Sequence, residues 1–399
     1  MYSDVKLKNK ERYSENFDID REKVEKALKI ALDTLKKGAE KFGDNLVEPA
    51  GEWGWYYTYK PTDKITWTTS MWTGMYWLAY QLTGDGFYRN VAESHMKHYV
   101  EAAKDPKNFS DHDTGFKYIP SCVAAYKLTG NEEAKAIALK AAEALLEHCC
   151  PVNKFIIRIG KGLPEQPYDW YRMLVDSMLN VELLFWAYEQ TGDKRYYEFA
   201  EGHCKMSAKY LIREDGSSYH HYQFDPVTKE PVKGVTLQGN RDESCWSRGH
   251  SWLVLGFPTV YKYMKDAEIF NIMDAVSNYL LDNLPHDYIP YWDFDFSDGS
   301  IEPRDTSTGA ISACGLLEMC KYLSDDSEQK KWYKNAAHRL VDALIDKAAI
   351  HDIKQDSLIG GVVGARTFNM HVSICQTYGD YFYLEALARI LKPDLDFFW

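Results

Sequence analysis

Two aspartates are the first candidates for chemistry in this 399-residue chain. Asp176 lies in Val175-Asp176-Ser177-Met178-Leu179-Asn180, within a run from Tyr168 to Trp186 whose apolar side chains point in nearly every direction around a helix. The run predicts a helix buried on most sides with one carboxylate inside it. An ionised carboxylate taken out of water must be paired, hydrogen-bonded or protonated. Asp113, in Ser110-Asp111-His112-Asp113-Thr114-Gly115-Phe116, stands where another apolar helix begins. Helix capping is the plain structural role for both, and Asp113 before Thr-Gly suits it well. The chemical alternative rests on pKa. A helix N-terminus favours the anion by ~0.3–1 kcal/mol, whereas burial can raise a carboxyl pKa by up to ~3–5 units and a like charge adds to that. Desolvation should win, leaving Asp176 protonated and available as a general acid near neutral pH.

Other polar side chains stand in comparable places. His220-His221 follows Ser217-Ser218-Tyr219 and suits hydrogen bonding better than metal ligation, because no carboxylate or cysteine stands at ligand spacing. Arg248, between Trp246 and Trp252, could clamp a substrate carboxylate or form a surface salt bridge, and spacing leaves both open. Asp111-His112-Asp113 has only a superficial likeness to a metal-binding triplet. The eight cysteines lie mostly in apolar helical runs without CxxC spacing, which reads as reduced core thiols and no zinc site. There is no phosphate-cradling Gly-rich loop and no G-x-S-x-G elbow. The expected site therefore holds no metal and no organic cofactor.

These residues need elements to position them, and the elements repeat. Leu78-Ala79-Tyr80-Gln81-Leu82-Thr83-Gly84-Asp85 is echoed by Ala124 to Asn131 and by Trp186 to Asp193. In each, Gly ends one helix and Asp or Asn caps the next. Extending the pattern predicts six charged amphipathic helices near 21–42, 86–104, 132–148, 195–212, 267–284 and 328–348. Each precedes a more apolar helix, near 71–82, 116–128, 173–190, 249–264, 307–322 and 379–391. Strands are minor, with a hairpin expected around Ser217 to Val235. Six stacked hairpins can close into a ring with the apolar helices inside, an all-α (α/α)6 barrel. The loops entering the inner helices then collect at one mouth, bringing Asp113, Asp176, Trp67, Trp246 and Arg248 together. Residues 1–20 read as an N-terminal extension and 21–399 as a single (α/α)6 domain. Tyr80, Tyr126 and Tyr188 recur at equivalent positions and read as packing.

Composition narrows the function. With 47 basic and 59 acidic side chains, the net charge is −12, and no Lys/Arg cluster is interleaved with aromatics, so nucleic acid and anionic membranes are unsuitable partners. The N-terminal residues form no apolar signal region and no later run would span a bilayer, so the chain reads as cytoplasmic. Tryptophan faces beside Asp, Gln, His and Arg at a toroid mouth suit a carbohydrate.

The motifs resemble one family across most of the chain, the unsaturated glucuronyl hydrolases of glycoside hydrolase family 88. The similar segments are Trp67 to Gly74, His112 to Phe116, Val175 to Asn180, Ser217 to His220 with Phe224-Asp225-Pro226, Gln238-Gly239-Asn240 with Trp246 to Gly249 and Trp252, Tyr291 to Phe294, Arg304 to Ser307, and Gly379 to Leu387. The resemblance implies an (α/α)6 barrel that removes a 4,5-unsaturated uronic acid from the non-reducing end of oligosaccharides left by polysaccharide lyases. It implies hydration of the vinyl ether, with Asp176 delivering the proton to C4 and activating water for C5. Asp113 would be the second essential carboxylate. Trp67, His112, His220, Gln238, Trp246, Arg248 and Trp252 would contact the sugar.

Departures touch the periphery. The chain has Thr68-Thr69-Ser70-Met71-Trp72 where Thr-Asn-Gly-Phe-Trp is expected, Ile156 to Gly160 where a Trp is common, and Leu237 where a His often precedes Gln-Gly-Asn. The Ser/Lys pattern linked to sulfated substrates is not evident between Gly360 and Tyr378. These changes leave the acid chemistry intact and the aglycone and sulfate preference open. The rival readings are an unsaturated rhamnogalacturonyl hydrolase, a sugar epimerase or isomerase using paired histidines, and a non-catalytic glycan binder. Monomer and homodimer are both compatible with the sequence.

Overall fold

The computed structural model describes residues 2, 4–48, 50–51, 54–58, 65–158 and 171–399. Among the described residues, twelve longer helices alternate between a wet outer layer and a dry inner one. In chain order they are α1 (Arg21–Phe42) and α2 (Trp67–Thr83); α3 (Gly86–Ala102) and α4, built of Thr114–Tyr118, Ile119–Val123 and Ala124–Thr129. Next come α5 (Glu132–Glu147) and α6, built of Ser177–Asn180 and Glu182–Thr191; α7 (Lys194–Tyr210) and α8 (Ser247–Met264). The last pairs are α9 (Ala267–Asn283) and α10 (Thr306–Cys320), then α11 (Glu328–Lys347) and α12 (Thr377–Leu391).

The repeated junctions form as the sequence predicts. Gly84, Gly130 and Gly192 adopt φ of 68°, 70° and 71°, and each N–H returns to the carbonyl of Tyr80, Tyr126 or Tyr188. Asp85, Asn131 and Asp193 then accept from backbone N–H groups of the following helix. Outer helices bury one face, as α1 does with Val24, Ala27, Ala31 and Leu35, whereas α10 is buried almost all round. The ring closes where α12 packs on α2. Neighbouring inner helices touch backbone to backbone: a Cβ at Gly115 of α4 would come within 2.4 Å of Asn180 on α6, and one at Gly315 of α10 within 2.4 Å of Val254 on α8.

Three boundaries differ from the periodicity. The helix expected near 173–190 begins at Ser177, because Arg172–Leu174 is a strand, β1, paired antiparallel with β2 (His221–Phe224), which also pairs with β3 (Pro231–Val235). An all-apolar run serves a buried strand as well as a buried helix. Leu174 lies opposite His221, so the expected hairpin gains a third strand and joins the mouth. Helix α2 starts at Trp67, four residues early, because Thr66 and Thr69 form a reciprocal cap. Helix α4 carries a π-turn at Ile119–Val123, with Pro120 in it. Tyr168, Asp169, Trp170, Ile159 and Gly160, and residues 52–53 and 59–64 of the loop before α2, lie outside the described residues.

Residues before α1 run across α9 and α11. Tyr13 is buried and its hydroxyl donates to Leu281 O at 2.7 Å, while Asn335 donates to Tyr13 O at 2.7 Å. After α12 the chain turns into the barrel from the far end: Phe397, Phe398 and Trp399 are buried, and Trp399 stacks on Phe382 and meets Phe116 edge-on. At that end Arg389 bridges Glu318 at 2.5 Å and Glu385 at 2.8 Å. Among the described residues no helix is long and apolar enough to cross a membrane.

Candidate active site

The N-terminal ends of the inner helices surround a cavity of about 430 Å³, within the size range of small-ligand sites. Asp113 and Asp176 stand immediately before the first residues of α4 and α6, and neither side chain caps its helix. The capping role is therefore absent, and both carboxylates are left for the cavity. Asn180 fixes their relative position: its Oδ1 accepts from Phe116 N at 2.7 Å and its Nδ2 donates to Asp176 O at 3.1 Å, tying α6 to α4. Close contact at Gly115 is what lets the two helix ends approach.

Carboxylate oxygens of Asp113 and Asp176 and a ring nitrogen of His112 all lie within 4.8 Å of one another. Both aspartates are half-buried and border the cavity. Burial, then the charge of Asp113, pushes the Asp176 carboxyl up to about 6, against the opposing pull of His112 and Arg248. Asp113 is also raised, by burial first, with His112 opposing. Asp176 Oδ1 is buried without a hydrogen bond among the described residues.

Hydrogen bonds settle the imidazole tautomers. His112 Nδ1 lies 3.0 Å from Arg158 O, a group that only accepts, so Nδ1 carries the proton. In the neutral ring its Nε2, 3.4 Å from Asp113 Oδ1, would then face lone pair to lone pair. A proton between them removes that conflict, and Asp176 stands within 4.8 Å of both. His220 behaves in the opposite way: Nδ1 accepts from Gln238 N at 3.3 Å, leaving Nε2–H as a buried donor without a partner among the described residues. Burial, then His221, holds His220 well below the usual imidazole range, and burial with Arg172 takes His221 down to about 2.

Trp67, His112, Asp113, Asp176, His220, Gln238 and Arg248 all line the cavity. Trp246 and Trp252 do not: both are buried one layer behind it. Trp246 lies edge-on to His220 at 4.8 Å and under the Arg248 guanidinium at 4.5 Å. Trp252 packs on Trp67, Phe116 and Phe382, in the aromatic column that Trp399 completes from below. They position the wall and do not form it. Arg248 is buried rather than on the surface; it lies 3.6 Å from Asp305 Oδ2, donates to the Val363 and Gly364 carbonyls, and stacks on Tyr378 as well.

Sequence reasoning missed several lining residues, among them Arg158, Arg172, Gln376, Tyr378 and Phe368. Arg172 is brought in by the strand that periodicity read as helix, its Nη1 donating to His221 Nε2 at 3.1 Å. Tyr378 opens α12, where its entrance-loop position was the available signal. His112, Asp113 and Asp176 are the described trio with metal-ligand spacing. Arg158 and Arg248 act electrostatically on the same carboxylates, and this positive surround suits a shared proton better than a bound cation. Asp111 turns away to pair with buried Lys117 at 2.6 Å.

A closed ring of helical hairpins whose mouth joins a raised-pKa carboxyl, a second carboxylate, aromatic rings and arginines suits acid-catalysed chemistry on a carbohydrate. Residues 49–366 match the model of Glycosyl Hydrolase Family 88. The unsaturated chondroitin disaccharide hydrolase of Streptococcus pneumoniae is 38% identical over 99% of this chain and 98% of its own. The unsaturated glucuronyl hydrolase of Streptococcus agalactiae superposes with a TM-score of 0.93 at 36% identity, covering 99% and 98% of the two chains. An aspartate-to-asparagine variant of that enzyme, complexed with dGlcA-GalNAc6S, superposes at 0.84 with 34% identity over 99% and 98%. The chain belongs to Glycosyl Hydrolase Family 88, and its fold is the (α/α)6 barrel of these enzymes.

Proposed function

We propose that the protein is an unsaturated β-glucuronyl hydrolase that frees the 4,5-unsaturated uronic acid from the non-reducing end of lyase-generated glycosaminoglycan oligosaccharides. The observation that carries this is Asp176, raised to about 6 by burial and by Asp113 beside it. Asp176 gives its proton to C4 of the vinyl ether. The carboxylate so formed takes a proton from the water that adds to C5, and the resulting hemiketal opens to release the aglycone. Protons balance, and no covalent enzyme intermediate is required.

Asp113 and His112 hold the proton on the pair before transfer. Arg158, Arg172 and Arg248 line the mouth in a chain of net charge −12, a concentration of cations that suits a uronate. His220 and Gln238 supply donors, and Trp67 a ring face. Histidines held as low as His220 and His221 are weak bases at neutral pH, which tells against a paired-histidine isomerase. The names of the relatives, and the bound dGlcA-GalNAc6S of one, support a chondroitin-type disaccharide. Eight buried, unpaired cysteines support a reducing, cytoplasmic setting, with the protein acting as a monomer or homodimer.

Unsaturated disaccharides from chondroitin, hyaluronan and heparin lyases provide the test, read as loss of the near-ultraviolet absorbance of the C4=C5 bond. Persistence of that absorbance with every uronide sinks the reading. An isomerase preserves the absorbance, a binder changes nothing, and release of a galacturonyl-derived product favours the rhamnogalacturonyl group.

A further inference from the structure

A second cavity, of about 530 Å³, lies at the opposite end of the barrel from the aspartate pair. It is bounded by the C-terminal ends of α10 and α12 and the first half of α11, and its wall carries Lys321, Lys330, Lys334 and Arg389 together with His338. Asp394 is the carboxylate on that wall, and it is exposed. Lys330, Lys334 and His338 follow at i, i+4 and i+8 on α11, a spacing that places them on one face, where like charges repel. Their partners are weak. Asp325 meets Lys330 at 2.5 Å with its side chain 94% exposed, and Asp18 meets Lys334 at 2.7 Å with 71% exposed. Such pairs yield readily to a better anion.

One further donor is built in. Arg389 is committed to Glu318 and Glu385 through Nη1 and Nε, and Glu318 also takes Lys321 at 2.8 Å, so these two cations contribute charge to the wall rather than free donors. His338 Nδ1 accepts from Ile19 N at 3.3 Å, so the neutral ring carries its proton on Nε2. Leu317, Ile390 and Pro393 add apolar wall beside these cations.

We propose that this cavity binds a small organic oxyanion ester, a phosphate or sulfate carried on a sugar-sized body, at a site distinct from the catalytic mouth. The cations and the His338 donor take the oxyanion by charge-assisted hydrogen bonds. The volume suits a small molecule rather than a bare ion, and the apolar wall covers its body. A ligand there joins α11 to α10 and α12 and stabilises the folded ring by mass action.

The test titrates the full chain with glucose 6-phosphate and N-acetylgalactosamine 6-sulfate, with inorganic phosphate and uncharged N-acetylgalactosamine as controls. Binding is read by calorimetry and by NMR of the His338 ring. Burial and Lys334 hold that ring down at about 4 against the pull of Asp18. Saturable binding of an ester, tighter than inorganic phosphate, with a rise in the His338 pKa as the anion offsets Lys334, supports the site; the tighter ester assigns phosphate or sulfate. The double substitution Lys330→Gln, Lys334→Gln keeps the stems and should weaken binding by about tenfold or more. Equal affinity for inorganic phosphate overturns the organic ligand. Absence of saturable binding at millimolar concentration, undiminished binding to the double variant, or an unmoved His338 overturns the site.

Discussion

The two ends of the barrel bury the same functional group and give it opposite character. At the mouth, Asp176 and Asp113 are desolvated side by side, and the Asp176 carboxyl rises to about 6. At the far end Glu318 is also buried, yet Arg389 and then Lys321 overcome desolvation and hold its carboxyl down at about 2. Burial raises a carboxyl and a like charge adds to the rise, whereas burial beside a guanidinium makes a brace. Both ends keep buried atoms without a hydrogen bond among the described residues, Asp176 Oδ1, His220 Nε2 and the Tyr378 hydroxyl at the mouth and Glu385 Oε2 and Arg389 Nη2 at the far end. Such atoms cost stability where they stand, a cost that sites for chemistry commonly carry.

Asp176→Asn breaks the comparison most severely. Turnover should fall by about 10³-fold or more, measured as loss of C4=C5 absorbance, while the fold is retained. The same variant should be more stable at neutral pH. The native carboxyl is raised above its unfolded value, so this group's contribution to stability falls as pH climbs through about 6. Thermal melts should show the advantage of the Asn variant at pH 7 and its disappearance below about pH 4. Asp113→Asn comes next. It should lower kcat by about 10²-fold. With the neighbouring negative charge gone, it should also move the alkaline limb of kcat/KM, expected near pH 6 in the parent, to lower pH. An unmoved limb would uncouple Asp113 from the proton on Asp176.

The far end should answer in stability only. Glu385→Ala leaves Arg389 with half its partners and should cost about 3 kcal/mol in denaturant melts, with the pH profile of the surviving activity unchanged. Gly115→Ala is smaller and sharpens the mouth: the new methyl meets the Asn180 backbone, costing ~1–3 kcal/mol and prising α4 from α6. Its kcat should drop more than its KM changes, because the pair is separated while the binding wall is not.

Much of this was readable before the coordinates. The Thr-Gly-Asp junctions set the hairpin count and alternation, because each uses a left-handed Gly and a side-chain cap that few other contexts require. The pairing of Asp113 with Asp176 followed from that order. What stayed hidden was irregular. Arg172 reached the site on a fully buried strand that has no alternation to betray it. Trp246 and Trp252 stood in the right loop but one layer back, because side-chain depth is set by packing against Trp67 and Phe116 and not by spacing. The tautomers of His112 and His220 depended on carbonyl and amide partners distant in sequence.

The π-turn in α4 has a consequence for how such a pair is aimed. An extra residue in one turn advances the phase of everything before it by about 100°. Thr114 to Tyr118 therefore sits out of step with Ala124 to Thr129, although both belong to one continuous rod. Deleting a single residue between Ile119 and Val123 would turn Thr114 to Tyr118 by about 100°, taking His112 and Asp113 away from Asp176 and pulling Gly115 and Phe116 off Asn180.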